Sequence, residues 1–368
     1  MIKICMVKEN MTIMDGVVRV LDLLSREFVL EYEVHMISIC GKKSQMQTTF
    51  SPKCYFKILK EGNLPLKNTI MSGAIELRKY LKKKNIDIVF SVGGSSLPVS
   101  ILATRGMKIK TVFCEHINFT AASQDRIDSL IRRLLVPFAN RIVTLTEQDR
   151  DVYLKSFGKR QENEVVSIHN WVDEKLLTEN VSPNKHSQKI ITVGRICEQK
   201  GYKELLDIAD MIFKHYSTWR WDIYGNGPQF EEIQKEIVER KLENHVVMMG
   251  NCKDIYNQYS EYAFYAMTSQ YEGLPMVLLE AKAKGLPLVS YDCMTGPREI
   301  VRDEIDGFLI PVGNKEEFAR KAMKLMEDET LRQKFSMEAR NNLSKFKKEK
   351  IIEQWRKLIV GLEDSKGV

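Results

Sequence analysis

The second half of the chain contains two carboxylates and two cations whose types suit the binding of hydroxyl groups and a diphosphate. Glu272 lies in a glycine-containing turn, and Glu280 follows with seven residues between them. An ionised carboxylate accepts hydrogen bonds from two neighbouring hydroxyl groups. Arg195 and Lys200 share an earlier loop, where Arg can bind phosphate oxygens as a fork and Lys as a point charge. Either pair, taken alone, could equally be a set of exposed surface groups.

The turn around Glu272 also offers backbone N–H groups. A strand is predicted over residues 262–268, which are rich in aromatic side chains, and a helix over residues 275–284, with Pro in its first turn. Gly273 allows a tight turn between them, and the free N–H groups at a helix start can bind a phosphate. On a helical period of about 3.6 residues, Glu280 lies roughly 80° around from Glu272.

The first half contains two further candidates. Gly16 stands at the start of a helix predicted over residues 17–26, where it could bring a backbone N–H near a ligand or serve only as a turn glycine. A strand predicted over residues 110–114 runs into Glu115 and His116, and open α/β sheets bind ligands at that end of a strand. His116 could handle a proton, contact a sugar or be a satisfied polar residue. No Gly-x-Gly-x-x-Gly follows the first predicted strand, which argues against an ordinary dinucleotide site.

Strands alternate with helices through both halves, which predicts parallel sheets covered on both faces. With 368 residues, the chain exceeds the length of about 250–300 at which one core normally divides into two. We predict an N-terminal Rossmann-like domain over residues 1–175, a C-terminal one over residues 176–345, and a final helix over residues 346–368 that packs back on the first domain. Residues 174–188 lack the periodicity of a helix or a strand, and we predict that they form the linker between the two domains. A cleft between the carboxyl edges of two such domains is the expected ligand site.

The composition is that of a soluble globular protein, with 43% hydrophobic and 29% charged residues. No apolar run reaches the ~18 residues of a membrane span, and the N-terminus lacks the long apolar segment of a signal peptide. The seven cysteines are scattered without a Cys-x-x-Cys pair, which favours buried thiols over disulfides or zinc ligands. We therefore predict a cytoplasmic location.

The positive charge is concentrated in the first half of the chain. Residues 1–173 contain 26 Lys and Arg against 18 Asp and Glu, whereas residues 174–368 contain 30 against 31. The basic segments 78–84 and 126–133 suggest an anionic partner, either lipid head groups or nucleic acid. The alternative is that they are ordinary solvated helix faces.

Several motifs together resemble one enzyme family. Glu272 and Glu280 look like the E-x7-E signature of the family-4 retaining glycosyltransferases of GT-B fold, and the loop from Gly194 to Gly201 is similar to that family's G-R-x-x-x-x-K-G loop. Three further segments fit the same pattern: Tyr224 to Pro228, Thr295 to Ile300 and Asp306 to Leu309. The segment from Thr295 resembles a variant common in enzymes that build bacterial surface polysaccharides. Asp15 and Gly16 stand where the family usually has two glycines, which is a departure.

The resemblance implies a role for each matching residue. Arg195 and Lys200 would hold the donor's diphosphate, Glu280 the ribose hydroxyls and Glu272 the hydroxyls of the transferred sugar, with His116 near donor sugar and acceptor. The remaining donor-binding residues would present backbone to the sugar, phosphate or base: Gly16, Gly194, Gly225, Gly227, Gly250, Gly273, Leu274 and Met276.

The resemblance further implies a retaining transfer of a hexose or N-acetylhexosamine from a nucleotide sugar, expected to be UDP-linked, with no cofactor and no metal. Fixed cations and a helix N-terminus would stabilise the departing diphosphate. Asp149 and Asp151, two apart in a predicted helix, do not face each other and would make a poor metal clamp. The expected acceptor is lipid-linked or a lipopolysaccharide, reached at the inner face of the cytoplasmic membrane through the basic first domain. No nucleic acid is expected as a partner.

Two other functions stay open from the sequence. A sugar-nucleotide epimerase or phosphorylase could use the same two-domain scaffold, and it would differ from a transferase in its need for an acceptor. A non-catalytic, basic nucleic-acid-binding protein would explain the charge, but it would leave Arg195, Lys200, Glu272 and Glu280 without a purpose.

Overall fold

The computed structural model of the protein describes residues 1–46, 50–62, 65–122, 126–158, 164–178 and 183–364. Residues 179–182 of the predicted linker lie outside this part of the chain. The fold divides into two units, one formed by Met1–His169 with Ile352–Val368 and the other by Asn170–Ile351. The sequence placed the corresponding boundaries at residues 175/176 and 345/346.

Unit 1 is built on a parallel sheet of seven strands in the order β3-β2-β1-β4-β5-β6-β7. The strands are Lys3–Asn10 (β1), Glu33–Gly41 (β2), Tyr55–Glu61 (β3), Ile88–Val92 (β4), Lys110–Cys114 (β5), Arg141–Thr144 (β6) and Val165–Ser167 (β7). The α-helices are Gly16–Phe28 (α1), Leu66–Lys84 (α2), Leu97–Thr104 (α3), Phe119–Ala122 (α4), Arg126–Leu135 (α5) and Glu147–Phe157 (α6). The central strands are buried, as the near-continuous apolar runs of β1, β2 and β4 require.

Unit 2 has a parallel sheet of six strands in the order β10-β9-β8-β11-β12-β13. The strands are Lys189–Val193 (β8), Arg220–Tyr224 (β9), Val246–Gly250 (β10), Phe264–Met267 (β11), Leu288–Tyr291 (β12) and Gly307–Ile310 (β13). The α-helices are Lys175–Thr178 (α7), Tyr202–Phe213 (α8), Phe230–Glu239 (α9), Ile255–Gln258 (α10), Met276–Ala283 (α11), Pro297–Ile300 (α12), Lys315–Glu327 (α13) and Glu329–Asn341 (α14). The prediction of two doubly wound parallel sheets is confirmed.

The last helix, Lys348–Asp364 (α15), returns the chain to unit 1 as predicted. Trp355 packs edge-on against Phe28 and Phe90, with ring centroids 6.0 and 5.7 Å apart. The guanidinium of Arg356 donates to the carboxylate of Glu31 at 2.7 Å. Aromatic contacts and an ion pair therefore attach this helix to unit 1. None of the helices in the described part of the chain is both long and apolar enough to cross a membrane.

Strand β3 was not predicted from the sequence. This strand lies at the edge of its sheet, Tyr55 is half exposed, and Lys57 and Lys60 interrupt the apolar residues of the strand. A short run interrupted by lysines resembles a loop, although lysine is also the residue that keeps an edge strand from pairing with another chain.

Candidate active site

In unit 2 the strand order reverses between β8 and β11, so the loops that follow these two strands meet at one edge of the sheet. Such a switch point is where open parallel sheets bind ligands. The loop after β8 contains Arg195 and Lys200, and the loop after β11 contains Glu272 and Gly273. The topology therefore brings together the motifs that the sequence separates by more than 70 residues.

Lys200 and Glu272 form a direct ion pair. Nζ of Lys200 donates to Oε1 of Glu272 at 2.6 Å, and the two side chains are only 20% and 8% exposed. The ammonium is positioned by a 3₁₀ turn, Glu198–Lys200, which ends at Gly201 with a φ of 66°. A Cβ at position 201 would lie 2.2 Å from the carbonyl oxygen of Thr268, so only glycine lets the two loops approach this closely.

Further hydrogen bonds hold the two loops against each other. The backbone N–H of Gln270 donates to the carbonyl of Gln199 at 2.8 Å, and Nε2 of Gln199 donates to the carbonyl of Tyr271 at 2.8 Å. Oγ1 of Thr268 donates to the carbonyl of Lys200 at 3.0 Å. Because both loops are fixed through backbone atoms, the ion pair is held on a rigid frame.

A third loop supports the turn at Glu272 from behind. Oγ1 of Thr295 donates to the carbonyl of Glu272 at 2.6 Å. Gly296 has a φ of 94°, and a Cβ there would lie 2.5 Å from the carbonyl oxygen of Gly273. The Thr-Gly-Pro segment, which matched a family motif in the sequence, thus supports the turn at Glu272. This contact was not predicted, because Thr295 lies 23 positions after Glu272.

Glu272 and Glu280 are both buried, with 6% and 2% of the whole residue exposed, so the interpretation as solvent-facing groups is wrong. The helix begins at Met276, with Pro275 as its N-cap residue. Glu272 therefore precedes the helix, and the predicted angle of 80° between the two carboxylates does not apply. The hydroxyl of Tyr259 donates to Oε2 of Glu280 at 3.1 Å, which orients that carboxylate.

Helix α11 is anchored by a buried ion pair that was not predicted from the sequence. Nζ of Lys282 donates to Oδ2 of Asp306 at 2.9 Å, and both side chains are fully buried. Burial lowers the pKa of Lys282, and the Asp306 carboxylate opposes that effect. Asp306 and Gly307 were recognised in the sequence as a turn, but the burial of Lys282 against Asp306 was not predicted.

The predicted base-pocket glycines have a structural reason of their own. A Cβ on Gly225 would lie 1.9 Å from the carbonyl oxygen of Gly194, and one on Gly227 would lie 2.2 Å from that of Ile196. These two glycines allow the loops after β8 and β9 to pack backbone to backbone. Gly250 has a φ of 68° and open space beside it.

Three further predicted donor-binding residues differ in their exposure. Arg195, on the loop after β8, has its side chain exposed, whereas Leu274 is buried and Met276 half-buried.

In unit 1, Gly16 is the first residue of α1 and is exposed. Asp15, which departs from the family's glycine pair, is the N-cap of that helix: its Oδ1 accepts from the backbone N–H of Val18 at 2.7 Å. Its Oδ2 accepts from Nζ of Lys8 at 2.9 Å. Where the family usually has a first glycine, Asp15 therefore stabilises the start of α1 by capping it and pairs with Lys8.

His116 follows β5 and is held by the residue before it. The backbone N–H groups of His116 and Ile117 donate to Oε1 of Glu115 at 3.1 and 3.2 Å. Burial lowers the pKa of His116 to about 4. The imidazole is consequently neutral near pH 7 and can both donate and accept a hydrogen bond.

Glu115 itself is part of a buried polar cluster. It is 1% exposed and accepts from Nε of Arg132 at 2.8 Å and from the hydroxyl of Tyr153 at 2.6 Å. Arg132 was predicted to belong to an exposed basic patch, which is wrong, because this guanidinium is buried to balance Glu115. Asp149 is also buried, whereas Asp151 is exposed, so the Asp-x-Asp pair does not converge on one site.

The comparisons with known proteins divide along the same two halves. Residues 14–176 match the family "Glycosyltransferase Family 4", and residues 173–342 match "Glycosyl transferases group 1". An uncharacterized glycosyltransferase of Haemophilus influenzae is 29% identical over 89% of this chain and 91% of its own length. The amylovoran biosynthesis glycosyltransferase AmsD of Erwinia amylovora is 30% identical over 77% of this chain and 80% of its own length.

The chain belongs to glycosyltransferase family 4. The structure of the sucrose-phosphate synthase tll1590 of Thermosynechococcus elongatus superposes on this glycosyltransferase with a TM-score of 0.86, covering 99% of this chain and 100% of its own at 17% identity. Alr3699/HepE of Anabaena, solved with UDP and glucose, has a TM-score of 0.83 over 98% of this chain and 100% of its own, also at 17% identity. These likenesses confirm the GT-B fold. Family membership favours a transferase over the epimerase, phosphorylase and nucleic-acid-binding alternatives.

Proposed function

We propose that this glycosyltransferase transfers a hexose or N-acetylhexosamine, with retention of configuration, from a UDP-sugar to a lipid-linked or polysaccharide acceptor in surface glycan synthesis. The names of its relatives support this proposal. AmsD acts in amylovoran biosynthesis. A Campylobacter jejuni relative, 24% identical over 78% of this chain, transfers N-acetylgalactosamine to a saccharide on PP-undecaprenol.

The Lys200–Glu272 contact at the switch point is the observation that carries the proposal. The Lys200 ammonium, the exposed Arg195 guanidinium on the same loop and the N–H groups at the start of α11 supply positive charge for a diphosphate. Glu272, fixed beside Lys200, would accept from hydroxyls of the transferred sugar. Glu280, buried in α11, would accept from the ribose, and Gly225 and Gly227 would shape the base pocket.

In the proposed reaction, the bond between the anomeric carbon and the diphosphate oxygen breaks as the acceptor oxygen bonds to the same face of that carbon. The departing diphosphate takes the proton of the acceptor hydroxyl, so no separate base is needed. Arg195 and Lys200 balance the negative charge on the leaving group, and neither a cofactor nor a metal enters the scheme. The neutral imidazole of His116 would contact a hydroxyl of donor or acceptor.

The first experiment is a panel of UDP- and GDP-sugars tested for protection of the purified protein against thermal unfolding, followed by transfer assays with lipid-linked acceptors. A UDP-sugar should raise the Tm, and Lys200→Ala should abolish the shift. Lys214→Ala, which changes an exposed lysine at the end of α8, is the matched control. Protection by no nucleotide sugar would contradict the proposal. Sugar conversion without an acceptor would instead indicate an epimerase.

We further propose that the enzyme acts at a membrane surface. The acceptor would be met at the inner face of the cytoplasmic membrane, where the surplus of eight basic residues in residues 1–173 favours anionic lipid.

A further inference from the structure

Helix α5 exposes apolar side chains in a way that ordinary surface helices do not. Ile127, Leu130 and Leu134 are 72%, 56% and 59% exposed, and Phe138, in the 3₁₀ turn that follows, is 62% exposed. Single exposed hydrophobic residues are common, but a contiguous group marks an interaction site. These four residues lie within one segment of twelve.

A surface helix usually exposes its charged side chains and buries its apolar ones, but α5 buries one arginine and exposes apolar residues. Arg132 points inward, where it is 1% exposed and bound to Glu115 and Asp128. Within Arg126–Leu135, which the structure describes throughout, the exposed charged residues are Arg126 and Arg133. The helix thus buries Arg132, leaves Asp128 half-buried beside it, and presents leucine, isoleucine and arginine to solvent.

The two arginines lie along one edge of the apolar stripe. At about 100° per residue, Ile127, Leu130 and Leu134 occupy a sector of roughly 60°, and Arg126 and Arg133 lie roughly 40–60° beyond Leu130. A cationic edge beside an apolar stripe is the arrangement of helices that lie in a membrane interface, with the apolar side chains among the acyl chains and the cations at the phosphates.

We infer that α5, together with Phe138, is a membrane-docking helix that inserts into an anionic lipid surface. The inference deepens the proposed function, on whose membrane-bound acceptor it rests, by naming the surface that binds lipid. Anionic lipid is favoured over a second copy of the chain because both exposed charges of the helix are positive. A second copy would bring two more arginines, whereas the one acid within Arg126–Leu135, Asp128, is half-buried and already paired with Arg132.

A neighbouring helix has the same character. Helices α2 and α5 both pack against α3. On α2, Met71 and Ile75 are 65% and 52% exposed one turn apart, and Lys82 and Lys83 are exposed near its end. Exposed apolar side chains with basic residues on the same helix therefore occur on two helices of unit 1.

The test is flotation of the full chain with vesicles of phosphatidylcholine alone and of phosphatidylcholine mixed with phosphatidylglycerol. We expect binding only to the mixed vesicles and weakening by added salt. Leu130→Ser with Leu134→Ser should reduce binding by roughly ten-fold or more, because two apolar side chains no longer enter the lipid. Arg133→Glu should reduce it about ten-fold or more, because a favourable charge near the surface becomes unfavourable.

The matched control is Val238→Ser with Met337→Ser, which removes two comparably exposed apolar side chains from α9 and α14 of unit 2. It should bind vesicles like the unchanged protein. Equal binding to both vesicle types, or unchanged binding by the α5 variants, would overturn the inference. So would sedimentation velocity showing a dimer that Leu130→Ser with Leu134→Ser dissociates. UDP binding by calorimetry reports on unit 2 separately: its failure would refute the proposed donor and leave the flotation result standing.

Discussion

Nζ of Lys200 and Oε1 of Glu272 lie 2.6 Å apart, although the two residues are 72 positions apart in the chain. Each group gives the other a partner of opposite charge in a place that is largely closed to water. Because an unpaired charge there would be costly, each residue depends on the other as its partner. The roles predicted for them separately, diphosphate binding and sugar binding, therefore meet at one contact.

We predict that Lys200→Ala lowers kcat by roughly 10²–10³, the loss seen when one donor to a developing anion is removed. Glu272→Gln should also lower kcat, since it leaves the Lys200 ammonium without its carboxylate. The double variant should lose less than the product of the two single losses, because each single change already breaks the pair. Steady-state transfer assays on the four proteins measure this, with Lys214→Ala as control. Losses that multiply would show that the contact has no part in catalysis.

Gly225→Ala should destabilise the protein by more than about 2 kcal/mol and weaken nucleotide binding. The new Cβ would lie 1.9 Å from the backbone oxygen of Gly194, so the loops must separate. Gly361→Ala is the comparison, because this glycine lies inside α15 with open space around it and should stabilise by about 0.5–1 kcal/mol. Urea unfolding of both variants decides the matter, and equal stability of Gly225→Ala and the unchanged protein would refute the packing argument.

The buried pair of Lys282 and Asp306 predicts a large loss of stability when one partner is removed. Asp306→Ala leaves the Lys282 ammonium in the interior without its carboxylate, and the free energy of unfolding should fall by about 3–5 kcal/mol. By contrast, Lys357→Ala breaks an exposed pair with Glu353 on α15 and should change it by less than about 1 kcal/mol. A loss in Asp306→Ala as small as that in Lys357→Ala would contradict this account.

Asp149 predicts a dependence of stability on pH. Burial, with the nearby Glu115 carboxylate, raises the pKa of Asp149 from 3.8 to about 7. Between those values the folded protein keeps a proton that the unfolded chain releases, so this group's stabilisation is present below about pH 4 and is lost as pH rises to about 7.

Asp149→Asn should therefore be more stable than the unchanged protein at pH 8, by up to a few kcal/mol, with a much smaller difference at pH 4. Its amide oxygen can still accept from the N–H of Phe119, as the Asp149 carboxylate does at 2.9 Å. Urea unfolding at several pH values tests this, and a difference that does not change with pH would refute it.

The motifs that the sequence identified after β8 and β11 meet at one edge of the unit 2 sheet, so most of the candidate site could be located from the sequence. Strand-to-helix alternation predicted both sheets, and the spacing of Glu272 and Glu280 identified the turn and its helix. Such features are local, because they depend on periodicity and on turn residues within about ten positions. The edge strand β3 was missed because its apolar residues are interrupted by lysines, and strand boundaries differed by a few residues.

The sequence by itself determined the fold class and the family, and it supplied the candidate site residues. Only the tertiary structure decided which charges are buried and which apolar groups are exposed. Arg132 and Leu130 show the difference: the sequence suggests that Arg132 belongs to an exposed basic segment, whereas the structure buries Arg132 against Glu115 and leaves Leu130 at the surface. Burial depends on partners that are distant in the chain, and periodicity within one helix carries no information about them.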